Sequence, residues 1–432
     1  MNDASISSYN QANKLIEKAD ICSVKKLDWY LSTADLRRDA RHLFQEAADL
    51  SSSEEIKGRA ITNLGNSLYK ANRWVEAYDN YCKALEADSS NAVASMMAAR
   101  VLYRCIDRRI GNKKVLQAVA AKHLKSAEKN AERLRELAGK QAVEQLQKLL
   151  LRTNILVPQI SFEATSQYEK FVQRHRLALS PTIEGLEASL KRWDNLKIFS
   201  ITESIDKASI VPPVFAMFNT LKSEFLVARR MAFDATTDNP NDSGSYSDTL
   251  DYAVYGVKSS MLVLAQRTSM DILDKIAVAV TEHLELGTKK EGIYFCNRWF
   301  AKKNQNATNL SWQPSFLKSI NNGNVAIIAL AEMALDIGKS GFLNEKKEMR
   351  HAGTHRFVVL HDTGQSPSRE CSYIEHANAK DFEQEVLDSL RLARSAIIYF
   401  VELIALEERA RRNGEKIGFL EVPNHHSIRG ED

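Results

Sequence analysis

The stretch that decides the fold of this 432-residue chain is 58–89, GRAITNLGNSLYKANRWVEAYDNYCKALEADS. Large and small side chains recur in it at helical spacing, first at Ile61, Leu64, Gly65 and Leu68, and then at Ala77, Tyr81 and Ala84. Small residues let two helices of a hairpin approach closely, and large ones fill the space between neighbouring hairpins. The stretch therefore predicts a pair of packed helices that stacks on similar pairs.

The same spacing recurs on both sides of this hairpin. It returns 37 positions earlier, over 24–47, with Asp28 at the small position. It returns downstream over 95–127 with a longer loop through 108–112. One good copy and two degenerate copies resemble tetratricopeptide (TPR) repeats, with three generic helical hairpins as the alternative. Both interpretations predict a helical-hairpin solenoid, assigned to 1–152, whose surface is expected to bind a protein or peptide partner.

Composition narrows the class of protein. Hydrophobic residues make up 44% and charged residues 26%, as in folded soluble proteins, and 8 Pro with 17 Gly favour long helices. The five cysteines are scattered and form no CxxC pair, which argues against a disulfide framework and a zinc ribbon. No apolar run approaches the ~18 residues of a membrane span. We therefore expect a cytoplasmic protein without a membrane partner.

Beyond the hairpins the sequence predicts a connector and a second helical unit. Residues 153–212 contain prolines and are assigned to a helical connector, and 413–432 to a C-terminal tail. Between them, 213–412 carries long apolar stripes at helical spacing, which predict a helical bundle. The polar segments 302–309 and 361–380 are predicted to be insertions between its helices. The predicted fold class is all-α.

One stretch of the bundle concentrates chemistry-bearing side chains: 346–356, KKEMRHAGTHR. An arginine holds a phosphate through two hydrogen bonds and neutralises charge that grows in a transition state. A histidine exchanges a proton near neutral pH, for example with an attacking ribose 2′-hydroxyl. Arg350 and His355 are therefore a candidate pair for cleaving a phosphodiester.

Two other interpretations of this stretch stay open. His351 and His355 are four residues apart, as zinc ligands are in HExxH helices, and His361 follows soon after. Against a metal site, Gly353 is expected to weaken the helix, and the flanking arginines repel a cation. The last interpretation is a solvated basic helix end, where His and Arg complement the helix dipole.

The stretch 350–355, RHAGTH, resembles the Arg-x4-His motif of the HEPN superfamily (higher eukaryotes and prokaryotes nucleotide-binding). The surrounding unit is similar to it as well. LKSEFLVARRMAF at 221–233 resembles the first helix of the HEPN branch that is fused to TPR-like repeats, and SMDILDKIAVAVTEHLELG at 269–287 resembles its long second helix. IYFCNRWF at 293–300 also fits that branch. The resemblance covers 213–412 and the repeats upstream.

The resemblance implies an RNA-cleaving bundle that needs no metal or other cofactor and forms a homodimer with a composite site. By the motif match, Arg350 positions and neutralises the phosphate, and His355 transfers the proton. His351 occupies the polar second position and orients the other two. The resemblance also implies a growth-arresting role as a toxin or an antiviral defence effector. A non-catalytic scaffold that binds a partner and dimerises is the alternative.

Charged neighbours are expected to support the pair. Asp271 and Asp274 lie three apart on the second long helix with Lys275 beside them, and they are expected to contact the Arg/His cluster. A solvated face with a local Asp–Lys pair is the alternative. The cations that we expect to bind RNA are Arg356, Lys346 and Lys347.

Two tryptophans flank a basic, Asn-rich segment. Trp299 and Trp312 enclose 301–309, AKKNQNATN, and aromatics interleaved with cations suit stacking on unpaired bases. Buried anchors beside a loop are the commoner explanation for such tryptophans.

Overall fold

In the computed structural model the chain is a succession of helices with a small three-stranded sheet, which confirms the predicted all-α class. The structure describes residues 2–22, 25–153, 166–180, 194–202, 211–237, 241–287, 292–301, 310–338, 341–363 and 371–412. Most of the predicted connector, the predicted tail 413–432 and the predicted insertion 302–309 lie outside these residues.

The first part of the chain consists of helical hairpins. α4 packs along α5 and α6 along α7, which confirms the hairpins predicted in 58–89 and 95–127. Asn91 and Asn112 begin α6 and α7 by accepting backbone N–H bonds with their side chains. The helices are α1 Asn2–Ile21, α2 Lys26–Ser32, α3 Ala34–Leu50, α4 Glu54–Lys70, α5 Trp74–Ala87, α6 Ala92–Asp107, α7 Lys113–Lys129 and α8 Ala131–Leu151.

A glycine sets how closely α4 and α5 approach. A β-carbon at Gly65 would lie 2.7 Å from the Tyr81 ring, closer than real side chains pack. Tyr81 is fully buried against this position. The small–large pairing read from the sequence therefore has a direct steric reason.

The first hairpin differs from the predicted one. α3 packs along α1, with the Tyr9 and Phe44 rings 6.0 Å apart, whereas the predicted partner region 24–31 contributes only the short α2. The predicted pairing was therefore wrong. The cause is that α1 buries small side chains, Ala12 and Ala19, which give little hydrophobic periodicity to read.

The second part of the chain contains the bundle. The long helices α10, α11 and α15 pack against one another, and α13 and α14 pack on their side. The elements are α9 Gln167–His175, α10 Pro213–Thr237, β1 Ala253–Val254, α11 Val257–His283, α12 Pro314–Asn321, α13 Ala326–Ile337, α14 Asn344–His355, β2 Phe357–His361, β3 Ile374–Asn378 and α15 Ala379–Arg411. None of the described helices has both the length and the apolar composition needed to cross a bilayer.

The segment 361–380, predicted as a polar insertion, contains a strand. β3 pairs in parallel with β2, with Phe357 opposite Ile374, and β2 pairs antiparallel with β1. The run Phe357–Leu360 contains two adjacent valines, which favour an extended backbone over a helix. β2 therefore begins two residues after α14 ends, with only Arg356 between them, and the sheet fixes the position of that helix end.

A buried ionic network joins the hairpins to the bundle. Arg37 and Arg41 of α3 lie 2.6 Å from Glu332 and Asp336 of α13, respectively. Arg73, just before α5, also pairs with Asp336. All five side chains are at most 1% exposed. Separating the two parts would leave these charges buried without partners or move them into water, so the parts are tightly coupled.

A second set of contacts joins the hairpins to the C-terminal half of α15. The Trp74 indole N–H donates to Glu402 over 2.7 Å. Arg108 pairs with the same carboxylate at 2.6 Å. The Val75 N–H donates to the Tyr399 hydroxyl over 3.1 Å. One continuous set of buried apolar side chains runs through both parts.

Candidate active site

The predicted motif lies on one continuous helix, α14, which runs through Gly353 to His355. The expected weakening of the helix at Gly353 is not observed. A β-carbon at this position would lie 3.1 Å from Val263 Cγ1 of α11. Glycine therefore allows α14 to pack tightly on α11 and brings the motif next to that helix.

Two carboxylates of α11 hold Arg350. Arg350 Nη1 lies 2.6 Å from Asp274 Oδ2 and 3.6 Å from Asp271 Oδ1. The backbone N–H of Phe295 donates to the other oxygen of Asp274 over 2.8 Å, which fixes that carboxylate. The guanidinium is therefore placed by a chain of polar contacts that starts at the segment after α11.

The same cluster shifts two pKa values. Burial raises the pKa of the Asp271 carboxyl above its ordinary value, although the nearby Arg350 and Arg267 act in the opposite direction. Burial lowers the pKa of His351, and the charge of Arg350 lowers it further. His351 is therefore neutral at neutral pH.

The two imidazoles of the motif lie side by side. His351 and His355 have ring centroids 6.3 Å apart and planes 24° apart, as expected for residues one helical turn apart. His355 is exposed to solvent at the end of α14. The arrangement presents one accessible imidazole, His355, and one partly covered imidazole, His351, which is close enough to Arg350 to feel its charge.

The other predicted cations are distributed around this cluster. Lys347 is close enough for its charge to lower the pKa of His351. Arg356 follows the helix end and lies 3.9 Å from Glu375 of β3. Both therefore contribute positive charge close to the motif.

Two predicted residues are directed elsewhere. Lys275 pairs with Glu224 of α10, although its neighbour Asp274 contacts Arg350. Lys346 pairs with Glu385 of α15, and its side chain is only 12% exposed. The structure therefore does not bring these two ammonium groups to the imidazoles.

The two tryptophans that flank 301–309 lie in the core. Trp299 is fully buried and Trp312 is 7% exposed, so both are anchors in the core rather than stacking surfaces.

The N–H of Phe295 was not predicted to orient Asp274, because a backbone donor leaves no signal in residue type. Its position within 293–300 was the available hint.

Within the described ranges, no three His, Cys, Asp or Glu side chains gather in a way that fits a metal ion. His361, weighed above as a ligand, lies in β2 apart from the motif imidazoles. Its Nε2 lies 2.8 Å from His376 Nδ1, and its Nδ1 lies 3.0 Å from the Asp251 carbonyl oxygen. Both ring nitrogens are therefore engaged by the protein.

Comparison with known proteins gives one match. The family described as LA2681-like HEPN matches residues 205–407, a range that contains α10 to α14, the sheet and most of α15. Neither the curated proteins nor the solved structures give a match. The matched range includes Arg350, His355 and the two carboxylates of α11. This chain therefore carries an LA2681-like HEPN domain over residues 205–407.

Proposed function

We propose that this protein is an endoribonuclease of the HEPN type, which cleaves RNA through Arg350 and His355 without a metal ion. One observation carries the proposal: a guanidinium fixed by Asp274 and an exposed imidazole lie on the same helix, five residues apart. The match of residues 205–407 to the LA2681-like HEPN family, which suggests a nuclease-type, RNA-related superfamily, supports the proposal.

Arg350 is suited to hold a phosphate. Within the described residues its side-chain contacts with Asp271 and Asp274 use Nη1, and the rest of the planar fork remains to meet two phosphate oxygens. Because the carboxylates already hold the side chain, it loses little conformational freedom when RNA binds. Its positive charge then offsets the charge that develops on phosphorus-bound oxygen in the transition state.

His355 is suited to transfer the proton. In the proposed reaction its imidazole takes the proton of the ribose 2′-hydroxyl, the 2′-oxygen forms a bond to phosphorus, and the bond from phosphorus to the 5′-oxygen breaks. The leaving 5′-oxygen takes a proton from the second imidazole of a dimeric site. The products are a 2′,3′-cyclic phosphate and a 5′-hydroxyl. His351, which is neutral at neutral pH, orients Arg350 and His355.

The proposed homodimer forms through the exposed face of the α10–α11 hairpin. Val227 of α10 and Leu264 and Val278 of α11 are 56%, 42% and 41% exposed, and in the proposed dimer they meet the second copy. Asp271, next to Arg350, belongs to the same hairpin. Sedimentation velocity is expected to give a dimer for the wild type and a monomer for the Val227→Asp/Val278→Asp variant.

The helical hairpins are proposed to control the nuclease. Asp336, held by Arg41 and Arg73, also accepts the Leu343 N–H through its carbonyl oxygen over 2.8 Å, immediately before α14. A protein or peptide partner that displaces α3 therefore acts on the segment that carries the motif. Such control suits a growth-arresting effector in toxin or antiviral defence systems.

The test compares cleavage of end-labelled RNA, in the presence of EDTA, by the wild type and by Arg350→Ala and His355→Ala variants. Loss of either group is expected to lower the rate about 100-fold or more, since charge stabilisation and proton transfer each contribute that much. The RNA panel includes transfer RNA and messenger RNA, because the site itself does not select between them.

Two residues of α3 give matched controls. His42→Ala removes an exposed imidazole from α3, and Arg38→Ala removes a guanidinium paired with exposed carboxylates. Both are expected to cleave as the wild type does. If RNA is bound but stays intact with every variant and with the wild type, the scaffold interpretation replaces the nuclease. A requirement for added zinc or manganese contradicts the mechanism.

A further inference from the structure

Three exposed aromatic side chains belong to segments that border the Arg/His cluster. Tyr294 is 56% exposed, and Phe357 and Tyr373 are each 70% exposed. Leaving an aromatic ring in water forgoes the stabilisation that burial would give. Three such rings beside one cluster of functional groups indicate a surface that is covered when the protein acts.

The backbone places these rings on two sides of the cluster. Tyr294 immediately precedes Phe295, whose N–H holds the Asp274 carboxylate that in turn holds Arg350. Phe357 follows His355 by two residues, and its N–H donates to the Tyr373 carbonyl oxygen over 2.9 Å. One ring therefore stands on the arginine side, and the other two stand beyond the histidine.

The segments between the rings carry three cations, two of which are paired with carboxylates. These are Lys347, Arg350 and Arg356, with His351 and His355 between them. From Arg350 to Phe357 the chain advances about 15 Å, by helix rise and then extended backbone. Cations between aromatic rings match a nucleic acid strand, whose phosphates meet the cations and whose bases stack on the rings.

We propose that Tyr294 on one side, and Phe357 with Tyr373 on the other, stack the bases that flank the scissile phosphate, so that the enzyme acts on unpaired RNA. This inference rests on the proposed function and names its substrate class. In an A-form duplex the base faces are covered by their neighbours, whereas loops and single strands offer them for stacking on aromatic rings. A duplex therefore cannot use this surface.

The test uses the full-length His355→Ala protein, so that binding is measured on uncut RNA. The probe is a mixed-sequence, single-stranded 12-mer that carries one 2-aminopurine, and the comparison is the same strand annealed to its complement. Anisotropy reports affinity, and quenching of 2-aminopurine reports stacking. Into this protein are introduced Tyr294→Ala, Phe357→Ala, Tyr373→Ala, the conservative Phe357→Trp and the apolar but non-aromatic Phe357→Leu.

Phe199→Ala is the matched control. Phe199 is 76% exposed, and the segment around it contacts the end of α15, since Arg412 donates to Ser200. β3 leads into the start of α15, so the control lies at the opposite end of that helix from the strand that follows Tyr373. Its removal is expected to leave binding unchanged.

The expected result is binding of the single strand at least 10-fold tighter than binding of the duplex. Each alanine variant and Phe357→Leu then lose about 10-fold with reduced quenching, and Phe357→Trp retains both. Equal binding of single strand and duplex, or aromatic variants that bind as Phe199→Ala does, overturns the inference. Unchanged binding with conversion of a dimer to a monomer also overturns it, and assigns the rings to an interface between two copies. Because cleavage is not measured, failure here is distinct from failure of the nuclease.

Discussion

At the scale of single residues, the site depends on one guanidinium and its surroundings. The spacing of Arg350 and His355 was visible in the sequence because both lie on one helix. The contact of Arg350 with Asp274 joins residues 76 positions apart, and helical spacing does not reveal which helices become neighbours. In the sequence, Asp271 and Asp274 were compatible with contact to the Arg/His cluster, but they were equally compatible with a solvent-exposed helix face.

The charge of Arg350 is expected to act on His351. Burial, the larger cause, and the Arg350 charge both lower the pKa of His351 below its ordinary value of about 6.5. The Arg350→Ala variant should therefore raise this pKa part of the way back, because burial persists. An NMR titration of the imidazole C–H resonances measures it.

Arg267→Ala is the control for that titration, because Arg267 acts on Asp271. It should leave the His351 pKa unchanged. A His351 pKa that falls in Arg350→Ala, or that shifts equally in both variants, contradicts the described electrostatics. The sign also sets a pH dependence: because its pKa is lowered, His351 becomes protonated at a lower pH than an ordinary histidine does, so activity that needs the neutral ring should extend further into acidic solution.

At the scale of elements, the packing of α14 on α11 builds the site. The prediction of long helices succeeded where large apolar side chains recur every three or four residues, as in α11 and α15. It failed for α1, which buries alanines, and for β3, a half-buried strand whose residues, Ile374–Asn378, are mostly polar or small. Short strands of this kind are held by their neighbours rather than by their own composition.

Gly353 should be essential for this packing. In a Gly353→Leu variant the new β-carbon would lie 3.1 Å from Val263 Cγ1, and the rest of the side chain would add to the crowding. We therefore expect α14 to shift away from α11, and Arg350 away from Asp274. We expect cleavage to fall at least 10-fold and the free energy of unfolding to fall by about 1–3 kcal/mol. A rate assay and urea denaturation measure the two effects.

The neighbouring Thr354 supplies the control, since it is exposed on the same helix. Thr354→Leu should keep near-normal stability and activity. If Gly353→Leu is as active as Thr354→Leu, the close contact between the helices does not position the arginine.

At the scale of the whole molecule, the hairpins and the HEPN domain are coupled by buried charges. From the sequence, Arg37 and Arg41 look like residues of a solvated helix face. Their partners on α13 each follow 295 positions later: Glu332 for Arg37 and Asp336 for Arg41. The spacing of residues within each helix does not indicate ion pairs between distant helices. The sequence therefore predicted two modules but not how they are joined.

Removing one of these charges should be costly. Arg37→Met leaves Glu332 buried with a longer contact, 3.5 Å, to Arg41. The free energy of unfolding is expected to fall by about 3–5 kcal/mol, since an unpaired buried charge is strongly destabilising. Urea denaturation, followed by circular dichroism, measures the change.

Arg38→Met, one position along, tests whether burial is the cause. Arg38 pairs with Asp35 and Asp39 at the surface, and its loss should cost no more than about 1 kcal/mol. Equal losses for the two variants would contradict a coupling that depends on buried charge.

We propose that Arg350 and His355 cleave RNA through its own 2′-hydroxyl. Removing that hydroxyl from the RNA at one position tests this step. An RNA is prepared with a single 2′-deoxy nucleotide on the 5′ side of a mapped cleavage site and is incubated with the wild-type protein in EDTA. We expect the product of the unmodified RNA to end in a 2′,3′-cyclic phosphate, and we expect no cut at the modified position. A cut at the deoxy position, or products that end in a 3′-hydroxyl, would contradict it.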